Sequence, residues 1–177
     1  MIYLDYAASA PPYPQAAQQQ LEVSLCAFGN PGAIHTAGNQ SRKILHESRM
    51  AIARLLKVRE QEVFFTSGGT ESNNLAFFGT LKSALKRNPH IITTKIEHPS
   101  VLEPLKFLES CGAEVTYLDV DERGFVSPDD VAEAVRENTK IVSVMLVNNE
   151  TGAIQPISEI SKKVKEKIIS FLADSFM

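Results

Sequence analysis

Downstream of residue 62 the chain alternates short apolar runs with longer amphipathic stretches. VFFT at 63–66, IITT at 91–94, VTYL at 115–118 and IVSVMLV at 141–147 are rich in β-branched and aromatic residues, which suit a pleated, half-buried surface. Helical spacing of apolar residues fills the intervals and predicts helices from Thr70 to about Lys86, from Pro99 to Ser110 and over 128–137. The last carries its own start signal. Ser127 is an N-cap residue, Pro128 suits the first helical position, and Asp129 and Asp130 favour the positive end of the helix dipole. The run at 141–147 is nearly all apolar, as a strand covered on both faces requires. Repeated strand–helix units therefore predict a mostly parallel sheet with flanking helices, an α/β fold. The final segment, SKKVKEKIISFLADSFM, reads as a polar helix ending near Lys167 and then a short apolar strand.

Upstream the pattern changes. Ile44, Ser48, Ala51, Ile52, Leu55 and Leu56 fall on one face of a helix beginning at Ser41, and this helix is expected to pack on a sheet. The first forty residues are irregular, broken by Pro11, Pro12, Pro14, Gly29, Pro31, Gly32 and Gly38, with one short helix from about Pro14 to Ala27. No fixed-period repeat, low-complexity tract or linker-like stretch divides the chain. One domain is expected.

Composition narrows the function classes. With 44% hydrophobic and 22% charged residues among 177, the chain has the balance of a globular domain. A net charge of -3 with lysines and arginines spread among acids argues against a nucleic-acid partner. No apolar run reaches the length of a membrane span, and the opening MIYLDYAASAPP has neither the basic start nor the apolar core of a signal peptide, so a cytoplasmic location is expected. Cys26 and Cys111 lie far apart without a CxxC partner, which indicates neither a disulfide framework nor a thiolate metal site.

Candidate chemistry gathers where strands are expected to end. TSGGTESNN at 66–74 stands at a strand-to-helix junction, where two glycines let backbone approach a ligand and free helix N–H groups favour an anion such as phosphate. Neither the Walker GK[ST] nor the GxGxxG spacing is present, and by itself the segment reads as a helix cap before it reads as a phosphate site. KIEHPS, with His98, follows the second run, and NNETG, with Asn148, Asn149 and Glu150, follows the fourth. Open parallel sheets bind ligands at this edge, so three such features at successive strand ends point to one site.

Five strings in this order, YLDYAASAPP, GNPGAIHTAG, TSGGTESNN, IEHPSVLEP and VNNETGAIQPI, resemble the signature blocks of cysteine desulfurases of the nitrogen-fixation and housekeeping iron–sulfur type, within the class-V aminotransferases. The resemblance runs from Tyr3 to about Ile160 and covers about the first half of a family member. It implies the large domain of a fold-type-I pyridoxal-phosphate transferase, truncated at its C-terminus. Residues 1–40 would then be an N-terminal arm and interface segment of a family homodimer, and 41–177 a partial cofactor-binding domain.

By the same resemblance, Gly69 and Thr70 bind the phosphate of pyridoxal 5'-phosphate, and His98 stacks on the pyridine ring and takes part in proton transfer. Asn149 lies near the cofactor's 3'-oxygen and the substrate, and Asp174 pairs with the protonated pyridine nitrogen. The family's cofactor-bonding lysine and sulfur-accepting cysteine fall further along, so cofactor binding within this chain is expected to be noncovalent at most. The implied reaction removes sulfur from L-cysteine, giving alanine and an enzyme persulfide for iron–sulfur cluster assembly. The alternatives are a noncatalytic remnant, half of a split enzyme completed by a second polypeptide, or a selenocysteine lyase or aminotransferase of the same superfamily.

Overall fold

The computed structural model describes residues 2–82, 84–165 and 170–174. The chain divides into two units, Met1–Phe65 and Thr66–Met177. The line expected at 40/41 falls instead inside a helix, because Thr36–Leu56 is continuous.

In the first unit, α1 spans Pro14–Cys26 and α2 spans Thr36–Leu56. Helix α2 starts upstream of Ser41 because His35 caps it, its ring accepting the Gly38 N–H at 3.2 Å. Gly38 lets the first turn lie against the preceding loop, since a Cβ there would stand 2.5 Å from the Ala33 carbonyl oxygen. Arg42 closes that loop by donating to the carbonyls of Pro31 at 2.8 Å and Ala33 at 2.7 Å. Gly38, Ser41 and Ala53 are the buried residues of α2, whereas Ile52, Leu55 and Leu56 are exposed. The sheet expected against that face is absent from its own unit, where no strand occurs among the described residues. VFFT at 63–66 is likewise not a strand. Val63 is extended (φ -103°, ψ 119°), but no described segment pairs with the run, and a strand exists only through its ladder.

The second unit is the expected parallel α/β body. Strands β1 (His90–Thr94), β2 (Glu114–Leu118), β3 (Thr139–Met145) and β4 (Ser170–Asp174) form one sheet in the order β2-β1-β3-β4, every pair parallel. Side chains alternate between its faces. Ile91 and Ile141 pack with Phe77 and Leu81 of α3 (Gly69–Leu81) and with Val101, Leu105 and Leu108 of α4 (Pro99–Ser110). Ile92, Val142 and Val144 pack on the other side with Val131 of α5 (Pro128–Glu133) and Ile160 and Val164 of α6 (Ile157–Val164). The result is a three-layer arrangement with β1 and β3 at its centre. Ser127 caps α5 as expected, accepting from the Asp130 N–H at 3.3 Å. Helices α3, α5 and α6 end before the predicted 86, 137 and 167. Lys167 itself lies outside the described residues.

The strand order fixes where a ligand can enter. From β1 the chain moves outward to β2, whereas from β3, on the other side of β1, it moves outward to β4. The winding direction reverses between β1 and β3, and their outgoing loops lead to helices on opposite faces of the sheet. Such a reversal opens a crevice at the C-terminal ends of those two strands.

At the opposite end His90 is fully buried and bridges three strands, with Nδ1 2.8 Å from Thr139 Oγ1 on β3 and Nε2 2.8 Å from Thr116 Oγ1 on β2. Burial, reinforced by nearby Arg136 and only partly offset by Glu114, holds this imidazole below its ordinary range. The unfolded chain therefore binds a proton more readily than the folded one, so the His90 contribution is complete above about pH 6.5 and is lost as pH falls below it. Stability by urea titration should drop between pH 7 and 5 with a slope of at most about 1.4 kcal/mol per unit, and His90→Gln should flatten that slope.

Candidate functional site

Three segments meet at the C-terminal end of the sheet. The first is the start of α3. Gly68 is its N-cap, Gly69 its first residue, and no described side chain caps it, the arrangement in which leading N–H groups can take an anion. Among the described residues nothing lies within 4 Å of where a Cβ on Gly68 would sit. The adjacent carboxylate does not compete for that position. Glu71 folds back to accept from the Ser67 N–H at 2.6 Å and the Ser67 hydroxyl at 2.7 Å, and these bonds, the backbone one foremost, hold it below the usual carboxylate range.

The second segment joins β1 to α4. His98 is the N-cap of α4, and its Nδ1 accepts from the Ser100 N–H at 3.1 Å and lies 2.8 Å from Ser100 Oγ. Pro99 suits the first helical position that follows. Asn73 of α3 donates through Nδ2 to Ser100 Oγ at 3.1 Å, which ties the beginnings of α3 and α4 together. An open cleft of about 580 Å³ between these helices is lined by Thr70, Asn74, Phe78, His98 and Phe107 among others.

The third segment follows β3 and is locked to the second by two bonds. Glu97, buried beside His98 in the chain, accepts from the Thr94 hydroxyl at 2.8 Å and from the Met145 N–H at 2.9 Å. Asn148 donates to the Ile96 carbonyl at 3.0 Å, while its Oδ1 accepts from the N–H groups of Glu150 and Thr151 at 2.9 and 2.8 Å. The two asparagines thus divide the work. Asn148 is buried and consumed in shaping the turn, whereas Asn149 is exposed. On the far side of β3, register sets Asp174 of β4 opposite Met145.

Of the five residues singled out in the sequence, the structure brings Thr70 and His98 to one cleft, with Gly69 beside Thr70 at the head of α3. Asn149 stands on the neighbouring loop, and Asp174 on the next strand at the same sheet edge. Sequence reasoning missed Glu97, Asn73 and Ser100. A glutamate in a loop between strand and helix carries no periodic signal, and its partner N–H is 48 residues away. The serine two positions after a histidine, with a proline between, was the one available sign that a ring was being held at a helix start.

A parallel α/β body whose strand ends converge on an anion-receptive helix start, a held imidazole and an exposed amide has the layout of a cofactor-binding domain. The model of the family described as aminotransferase class-V matches residues 2–176, and the chain belongs to that family. It is 45% identical over 174 residues to the cysteine desulfurase IscS of Dictyoglomus turgidum and 47% identical to a putative cysteine desulfurase IscS 1 of Bacillus subtilis. Each alignment covers 98% of this chain, but only 44% and 46% of those relatives. Among solved structures, SspA in complex with cysteine superposes with a TM-score of 0.92 at 38% identity, covering 97% of this chain and 49% of that one. A NifS-like protein follows at 0.90 and 34%, covering 96% and 48%. The chain spans about half the length of the relatives it matches.

The family depends on pyridoxal phosphate, and its fold is the large domain of fold-type-I transferases. The residues present fit that group, since the uncapped head of α3 with the Thr70 hydroxyl suits a phosphate and the His98 ring offers a flat partner for a pyridine. No helix among the described residues is long and apolar enough to cross a membrane.

Proposed function

We propose that this chain forms the pyridoxal-phosphate-binding part of a cysteine desulfurase, an enzyme that takes sulfur from L-cysteine, leaving alanine and an enzyme persulfide for iron–sulfur cluster assembly. The observation that carries the reading is the pair of bonds from Met145 and Asn148 to the β1–α4 loop, which hold the His98 and Asn149 loops side by side at the winding reversal. Bound there, pyridoxal phosphate supplies an electron-withdrawing ring that stabilises negative charge on the substrate carbon.

In this reading Gly69 and Thr70 take the phosphate through backbone N–H and hydroxyl. His98 lies against the ring and moves protons, Asn149 donates to an oxygen of cofactor or substrate, and Asp174 is assigned to the ring nitrogen. The relatives extend over about twice this length, and the cofactor-bonding lysine and sulfur-accepting cysteine are assigned to the part outside these 177 residues. The 177 residues then hold the cofactor noncovalently and act on cysteine only when completed, by continuous chain or by a second polypeptide, within a cytoplasmic homodimer.

The test is a fluorescence titration of the purified chain with pyridoxamine 5'-phosphate, which keeps the ring and phosphate but has no aldehyde to react with surface lysines. Saturable one-to-one binding is expected, weakened about tenfold in Thr70→Ala and in His98→Ala, the effect of losing roughly 1.4 kcal/mol each. Linear, unsaturating uptake that neither substitution alters would refute the proposed site.

A further inference from the structure

We infer that Asn73 and Ser100 are positioning residues that hold the His98 ring in one neutral tautomer, with its proton on Nε2. The ring therefore first meets a reaction partner as an N–H hydrogen-bond donor rather than as a base. The inference rests on the proposed role of His98 for its meaning, but its geometry stands apart from the cofactor.

The direction of each bond follows from what the atoms can do. A backbone N–H can only donate, so the Ser100 N–H, 3.1 Å from Nδ1, requires a lone pair on that nitrogen. A neutral imidazole with a lone pair on Nδ1 carries its proton on Nε2. The Ser100 hydroxyl, 2.8 Å from the same nitrogen, must then donate to it as well. The hydroxyl's other contact agrees, because Asn73 Nδ2 has only hydrogens to offer and reaches Ser100 Oγ at 3.1 Å, leaving the serine proton for the ring. Asn73 and Ser100 are 4% and 6% exposed, so water does not readily replace either partner. Two donors thus converge on Nδ1, one fixed by the helix backbone and one oriented by a side chain from a different helix.

Such an arrangement has a chemical consequence. A histidine that both gives and takes protons in a reaction can start from either side, and the tautomer decides which. With Nδ1 committed to α4, the ring's exchangeable proton sits on Nε2. From there it is offered to an acceptor on a ligand as a hydrogen bond, because complete loss of it from the neutral ring would leave an anionic imidazolate.

The test uses the full chain without cofactor, selectively labelled with ¹⁵N-histidine, and reads long-range ¹H–¹⁵N correlations at pH 8. His98 resonances are assigned by their loss in His98→Ala. Wild type is expected to show a pyridine-type Nδ1 and a pyrrole-type Nε2. Ser100→Ala should raise the minor Nδ1–H form about fivefold, the value of one hydrogen bond, read as movement of the two shifts toward each other. Asn73→Ala should move them the same way by less, and Ser100→Thr should restore the wild-type pattern. Unchanged signals from His35, His46 and His90 report that the variants remain folded. A wild-type ring protonated on Nδ1, or a Ser100→Ala spectrum identical to wild type at His98, would overturn the inference. Because no cofactor is present, failure here leaves the cofactor reading intact, and failure of pyridoxamine phosphate binding leaves the tautomer assignment intact.

Discussion

Glu97→Ala is expected to destabilise the Thr66–Met177 unit by about 2–4 kcal/mol, more than other single polar substitutions near the site. The residue is 5% exposed, and its carboxylate accepts from the Thr94 hydroxyl at the end of β1 and from the Met145 N–H at the end of β3. Alanine leaves both donors buried without that acceptor, and each such donor costs roughly 1–3 kcal/mol. Relief of the carboxylate's own burial offsets part of the loss. Glu97→Gln keeps an acceptor oxygen at the same place and should cost clearly less. Urea denaturation of the two variants reads the difference. Equal destabilisation by both substitutions would mean that the acceptor role is not what holds the two strand ends together.

Asn148→Ala is expected to cost about 2–3 kcal/mol and to loosen the turn that presents Asn149. The side chain bonds to Ile96 across the crevice and gathers the Glu150 and Thr151 N–H groups, so its loss removes both the inter-strand tie and the shape of the turn. Amide exchange at Glu150 and Thr151 should quicken in the variant while the amides of β1, buried in the centre of the sheet, remain protected. Pyridoxamine phosphate should bind this variant more weakly even though Asn149 is intact. Undiminished binding would show that the turn does not contribute to the site.

The parts of the fold that were legible from sequence are those with a local cause. Strands β1, β2 and β3 declared themselves through β-branched runs, and α4 was read at both ends because Pro99 and the apolar spacing of Val101, Leu105 and Leu108 mark it. The run at 63–66 is as rich in β-branched and aromatic residues as β1 yet makes no strand, since composition states a preference and only a neighbouring strand satisfies it. Helix α2 was started too late because its cap is a histidine, which side-chain preference alone does not flag. The site shows the same division. His98 and the Gly69–Thr70 step were visible as residue types at strand ends. Residue type alone did not separate Asn148 from Asn149, which differ in which one faces Ile96, and only the family resemblance singled out Asn149.

If the three segments at the winding reversal form one site, they respond to a ligand together. Residue-resolved NMR of the ¹⁵N-labelled chain during addition of pyridoxamine 5'-phosphate measures this directly. The predicted result is a single set of saturating shifts at Gly69, Thr70, His98 and Asn149, with a common midpoint and little change at the opposite end of the sheet around His90. Shifts scattered over surface lysines, or confined to one of the three segments, would contradict it.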